Sequence, residues 1–253
     1  MGTALLSGLI RSGWAEAGEC AVVEKRGEQR ELLSERFPGL EAVPAPVPAD
    51  DLVLAVKPAD AESAARSLPA GGYRRVMSIV AGVTIARLEQ WLWTGAKVVR
   101  AMPNTPALVG NAASAVAGGS AAGEEDLVWA EGVLSSIGVV VRLPERLLDA
   151  ATGLAGSGPA YVFLLAEALV EAGVQLGLER EVSTVLAVQT LLGSARLLAE
   201  SGESAESLRA YVTSPAGTTA RGVLALERRA FRAAVMEAVS AAAERSAEIG
   251  RAG

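Results

Sequence analysis

Along the first two-thirds of the chain, short apolar runs alternate with segments whose hydrophobic residues recur at helical spacing. The runs fall at residues 21–23, 52–56, 76–80, 98–102 and 139–143, and helical spacing occupies 30–36, 61–68, 84–92 and 124–136. Strands that read as continuous apolar runs with helices between them predict a parallel sheet covered on both faces. Near residue 145 the rhythm changes. From Leu147 onward almost everything reads as helix, with breaks at 155–159, Gly177, 201–203 and 213–218. Pro159 suits a first helical turn and Gly177 a helix stop. The pattern predicts an α/β domain over residues 1–145, followed by an all-α domain over 146–253.

Two helices of the second part, at 161–176 and 182–198, are apolar nearly all round. Such a helix wants partners on every side, more than about a hundred residues supply, so a second copy of the chain is expected against them: a homodimer, with higher assembly open. Gln189, Thr190, Ser194 and Arg196 interrupt the longest apolar stretch and would be costly in lipid, so it reads as a buried helix and not as a membrane span.

The beginning has a pattern of its own. Residues 2–12 form an amphipathic helix with Leu5, Leu6 and Leu9 apolar, ended by Gly13, and the strand at 21–23 closes on Glu24-Lys25-Arg26. Helix, strand and charged strand end are the second half of a dinucleotide-binding βαβ unit. A first strand and glycine turn then belong ahead of residue 1, and without them the sheet is expected to carry an unpaired gap at its centre or to rearrange. Met1-Gly2 matches the tail of such a glycine fingerprint.

Composition narrows the chemistry. The net charge of −6 comes with no basic stripe to collect phosphates, which argues against nucleic acid. Cys20 is the single cysteine, so neither an intrachain disulfide nor a thiolate metal cage can form, and no metal is expected. There is no histidine, so catalysis needs little proton transfer or draws it from other groups. No basic region precedes the apolar residues of the first segment, and the expected location is cytoplasmic.

The candidate chemistry sits at strand ends and helix starts. In doubly wound folds the C-terminal ends of strands face the ligand crevice. Ala55-Val56-Lys57-Pro58 ends one strand, with Lys57 placed to meet a ribose or phosphate, and Met102-Pro103-Asn104-Thr105-Pro106 ends another. At 24–26 a carboxylate would bind a ribose 2′-hydroxyl, whereas Lys25 and Arg26 would pair with a 2′-phosphate. Each also has a bland reading as a solvated strand end. Two stretches run into helix N-termini, 155–161 and Thr213-Ser214-Pro215-Ala216-Gly217-Thr218-Thr219. Free amides and the positive helix end suit a carboxylate there, and plain N-capping accounts for one hydroxyl better than for four.

Together, Met1–Gly8, 54–58, 78–88, 99–110, 149–178 and 212–227 resemble the pyrroline-5-carboxylate reductase family in order and spacing. The distinctive stretches are Arg100-Ala-Met-Pro-Asn-Thr-Pro106 and Ser214-Pro-Ala-Gly-Thr-Thr219. The resemblance implies a Rossmann-like N-terminal domain lacking its first strand, a helical dimerisation domain, and an active site shared by two subunits. It implies NAD(P)H-dependent reduction of a cyclic imine to proline, with NADPH favoured by Lys25 and Arg26 and NADH possible. The dinucleotide contacts it implies are Ala55, Val56, Lys57, Pro58, Ala81, Gly82 and Asn104, and the fingerprint tail and strand end add Met1, Gly2, Lys25 and Arg26. The substrate contacts are Ser214, Gly217, Thr218 and Thr219, with Thr219 hydrogen-bonded to the ring nitrogen as the catalytic residue. The family's Gly-Gly in this loop is Ala216-Gly217 here, tolerable only where position 216 needs no positive φ. Two rival readings are a non-catalytic oligomeric paralogue and another imine or β-hydroxyacid reductase on the same architecture.

Overall fold

The computed structural model describes residues 1–252. It divides into two compact units, residues 1–157 with 240–253 and residues 158–239. The expected boundary at 145 thus falls inside the first unit. Leu148 explains this: it is fully buried with Ile85, Ala115 and Ala117 in a cluster of the first unit.

The first unit opens with helix α1 (Gly2–Arg11), then β1 (Ala21–Val23), α2 (Gly27–Arg36) and β2 (Glu41–Val43). Next come β3 (Asp51–Leu54), α3 (Ala61–Arg66), β4 (Arg75–Ser78), α4 (Ile85–Trp91) and β5 (Val98–Met102). The unit continues with β6 (Ala112–Gly118), α5 (Glu124–Ser135), β7 (Gly138–Arg142) and α6 (Leu148–Ala151). β3, β4 and β5 are parallel, β6 runs antiparallel to β5, and β7 is parallel to β6. The expectation of a wholly parallel sheet is therefore corrected at β6. Its sequence of small residues, Ala-Ala-Ser-Ala-Val-Ala-Gly, hides the strand, because it lacks the β-branched and aromatic side chains that mark one.

The sheet is also divided. β1 and β2 form a separate parallel pair, and β1 and β3 each pair along one edge only. This is the unpaired gap expected from the opening pattern. Helix α1 carries the connection. Leu5 and Leu9 enter the main core with Met77, Val99 and Val133. Leu6 packs instead with Leu33, Phe37 and Leu40, and Ile10 lies against them beside Val22 of β1. A helix with apolar residues on two stripes holds two sheets that share no hydrogen bonds. The other face of the main sheet is covered by α3 and α4 through Ala61, Ala65 and Leu88.

The second unit consists of α7 (Gly158–Gln175), α8 (Arg180–Glu200), α9 (Ala205–Tyr211), α10 (Thr218–Arg228) and the opening turns of α11 (Phe231–Ala252). α7 and α8 pack where Gly173 meets the Ser183 side chain, and Arg180 pairs with Glu171 at 2.8 Å. Yet α7 buries no residue, and Phe163 and Leu164 are 62% and 67% exposed. The stretch expected as a buried helix is therefore open within a single chain, with Val185, Leu186 and Leu192 also exposed. By length and composition these helices could cross a membrane.

Candidate functional site

In the first unit, the chain's candidate residues gather on turns that follow parallel strands. Leu54 is buried at the end of β3, and the next four residues, Ala55, Val56, Lys57 and Pro58, are exposed. Pro58 opens a short 3-10 turn, and among the described residues Lys57 makes no ion pair. Gly2 lies beside this turn: a Cβ built on it would sit 3.2 Å from Ala55 Cβ. Met1 is the N-cap of α1, its carbonyl accepting from Ala4 and Leu5, and no side chain caps the helix. The amides of Gly2 and Thr3 therefore remain as donors at a helix N-terminus.

After β4 the chain turns through Ala81 and Gly82. Ala81 is exposed, while Gly82 is buried with φ +74°. A side chain there would collide with Ile249, since a Cβ would lie 2.4 Å from its Cγ2. Thr84 then caps α4 by accepting from the Arg87 amide. Glu145 adds a second hold on this helix start, its Oε1 accepting from the Ile85 amide at 2.7 Å.

Asn104, implied above as a dinucleotide contact, has its side-chain amide engaged within the fold. It is 8% exposed, its Nδ2 donates to the Ala155 carbonyl and its Oδ1 accepts from the Ala113 amide, both at 2.9 Å. The side chain thereby ties the end of β5 to β6 and to the π-helical turn at Thr152–Gly156. Thr105, by contrast, is exposed. Prolines on both sides fix the backbone, and the amide faces inward.

At the end of β1, Arg26 is paired with Glu24 through Nε at 3.1 Å, and the Arg26 amide donates to the same carboxylate at 3.0 Å. Hydrogen bonding from the Arg26 side chain holds the Glu24 carboxyl below its usual range and raises the Arg26 guanidinium in return. Arg30, which sequence reading passed over, donates to the Glu24 and Lys25 carbonyls at 2.8 and 2.9 Å and shapes this turn. Its signal was an arginine in the first turn of a helix following a charged strand end. Burial raises the Cys20 thiol, which keeps it protonated and a poor nucleophile.

In the second unit, Ser214 to Gly217 form a turn closed by the Gly217 amide donating to the Ser214 carbonyl at 3.1 Å. Pro215 at its second position and Ala216 at φ +59° at its third are the marks of a type II turn, which favours glycine at that third position. Position 216 thus adopts the positive φ that the tolerance of alanine required it to avoid, and Ala216 carries backbone strain there. Gly217 is required by space, because a Cβ would lie 2.4 Å from Ser214 Oγ. It is also the N-cap of α10, again without a side-chain cap. Among the described residues the hydroxyls of Ser214, Thr218 and Thr219 make no hydrogen bond within the chain, and the first amides of α10 are free. Three hydroxyls and a bare helix start in one loop are suited to a carboxylate.

An α/β unit with exposed turns after its parallel strands, followed by a helical unit with a bare helix start at Gly217, defines a Rossmann-type dinucleotide-binding protein with a helical second part. The family model for pyrroline-5-carboxylate reductase dimerisation matches residues 145–249. A pyrroline-5-carboxylate reductase of Synechocystis sp. is 41% identical over 255 residues, covering 99% of this chain and 95% of that relative. The structure of a pyrroline-5-carboxylate reductase from Coxiella burnetii superposes with a TM-score of 0.90 at 32% identity, covering 98% of this chain and 94% of that one. A pyrroline carboxylate reductase from Plasmodium falciparum with NADP bound gives 0.84 at 31% identity, covering 99% and 94%. The chain belongs to the pyrroline-5-carboxylate reductase family.

Proposed function

We propose that the protein is a soluble, cytoplasmic NAD(P)H-dependent reductase that converts pyrroline-5-carboxylate to proline. The observation that carries this reading is the Ser214–Thr219 segment, whose bare hydroxyls and helix start match a small carboxylated substrate. The first unit offers a fitting donor set for the dinucleotide. The uncapped α1 start with Met1 and Gly2 suits the pyrophosphate, and Lys25 and Arg26 suit a 2′-phosphate, which favours NADPH over NADH. The exposed 55–58 and 81–82 turns suit the remaining ribose and nicotinamide. Asn104 serves this site by holding its loop, given that both ends of its amide are engaged within the fold.

The bound dinucleotide supplies the hydride. The protein's part is positioning and charge, which suits a chain without histidine. Ser214 and the Gly217 and Thr218 amides anchor the substrate carboxylate. The protonated imine accepts the hydride at its carbon, and the C=N π pair becomes the nitrogen lone pair. Thr219 holds the nitrogen by a hydrogen bond as it becomes an amine. Self-association belongs to the same reading: a homodimer covers the exposed apolar faces of α7 and α8, in the segment matched by the family's dimerisation model.

The test is NADPH oxidation by the purified chain with pyrroline-5-carboxylate, with light scattering to measure its mass in solution. Proline formation by a dimer is the expected result. A chain that binds neither NADPH nor imine and still self-associates would favour a non-catalytic paralogue.

A further inference from the structure

The 80–84 turn is held by more than its own strand and helix. Behind it lies Arg100, 5% exposed in the middle of β5. Its Nη1 contacts Glu145 Oε1 at 3.1 Å, the same oxygen that accepts from the Ile85 amide. Its Nη2 lies 3.8 Å from Asp149 Oδ1, which in turn accepts a 2.7 Å hydrogen bond from Ser246 Oγ. Ser246 is itself buried, on the closing turns of α11. One turn further on, Ile249 rests over Gly82, and a Cβ on Gly250 would lie 3.3 Å from the Gly82 carbonyl.

A relay therefore runs from the Ile85 amide through Glu145, Arg100 and Asp149 to the last helix, and that helix returns to cover the turn where the relay began. Arg100 is the buried charge of this network, while the Glu145 and Asp149 side chains stay 33% and 31% exposed; a buried guanidinium held by two carboxylates specifies one geometry. The geometry specified here is the position of the α11 end over the 81–82 peptide. Gly82 has no side chain with which to resist a shift of that helix.

We propose that Asp149 and Ser246 are positioning residues for dinucleotide binding, acting through Ile249 on the Ala81-Gly82 turn. This rests on the reading of that turn as a dinucleotide contact. The C-terminal turns of α11 then belong to the cofactor site, although none of their side chains need touch the cofactor.

Three variants separate this from a scaffold role. Ser246→Ala removes the hydroxyl donor, Ser246→Thr keeps it, and Ile249→Ala removes the cover without touching the ionic groups. For Ser246→Ala and Ile249→Ala the KM and Kd for NADPH should rise about tenfold, as expected for a small displacement of a positioned group. Turnover at saturating NADPH, the KM for the imine and the melting temperature should stay near the parent, and Ser246→Thr should restore NADPH affinity. Unchanged NADPH affinity, or a joint loss of turnover, both affinities and melting temperature, overturns the proposal. A parent chain that neither binds NADPH nor turns over defeats the functional reading instead. Amide hydrogen exchange over 80–85 then decides: faster exchange in Ser246→Ala but not in Ser246→Thr upholds the positioning role, and identical exchange rejects it.

Discussion

Ala216→Gly should stabilise the protein, which is unusual for a substitution in a loop proposed to bind substrate. Ala216 has φ +59° at the third position of a turn led by Pro215. An L-residue with a Cβ in this region carries about 1–2 kcal/mol of strain. Glycine relieves that strain, while its freer unfolded chain costs about 0.4–1 kcal/mol. Ala216 is exposed, so no packing is lost with its methyl group. The net gain is about 0.5–1 kcal/mol, which for a chain of this size corresponds to a rise of roughly 1–4 °C in melting temperature. The assay is thermal unfolding followed by circular dichroism at fixed protein concentration, because self-association shifts the midpoint by mass action. Ala230, at φ +55° between α10 and α11, is a matched control with the same strain outside the loop. Both variants should rise together. A fall for Ala216→Gly alongside a rise for Ala230→Gly would show that the methyl group at 216 makes a stabilising contact, and the strain argument would be refuted.

Three further outcomes are expected. Asn104→Ala should cost about 2–4 kcal/mol in urea unfolding, because it strands the Ala113 amide and the Ala155 carbonyl together; a loss under about 1 kcal/mol would mean that water replaces both bonds. Thr219→Ala should lower kcat with little change in melting temperature, and unchanged steady-state kinetics would remove Thr219 from the mechanism. Glu24→Ala frees Arg26 and should raise the kcat/KM preference for NADPH over NADH. Since the Glu24 carboxyl is held below its usual range, the pair persists through that range and is lost only as pH falls below it; the parent's preference should therefore stay flat over about pH 6–9, and a step there would point to another group.

Much of this was legible before the structure. The strands at 21–23 and 98–102 and the start of α5 at 124 stand where hydrophobic spacing put them. The open gap was legible too, from a helix and strand that only make sense as half of a βαβ unit. β2 and β6 were not. Three residues ahead of a proline-rich stretch carry too little pattern for β2, and tertiary burial between β5 and β7, not propensity, makes the alanine-rich β6 a strand. For the candidate site, sequence singled out turns but not the direction of their side chains. Asn104 turns inward because its backbone neighbours Ala113 and Ala155 need partners, and Glu24 is already committed to Arg26. The Arg100–Glu145–Asp149–Ser246 relay spans about 150 residues of sequence, and no local spacing announces it.

The division of the sheet bears on how the molecule comes apart. The β1–α2–β2 corner has its own small core of Leu6, Leu33, Phe37 and Leu40, and no ladder hydrogen bonds run from it to β3. Its attachment is largely the two-striped helix α1. A segment joined by few apolar contacts opens at a lower free energy than the strands of a continuous sheet. This corner should therefore behave as a separate foldon, the first to be nicked by a protease under native conditions, while the five strands from β3 to β7 stay closed until the whole unit unfolds.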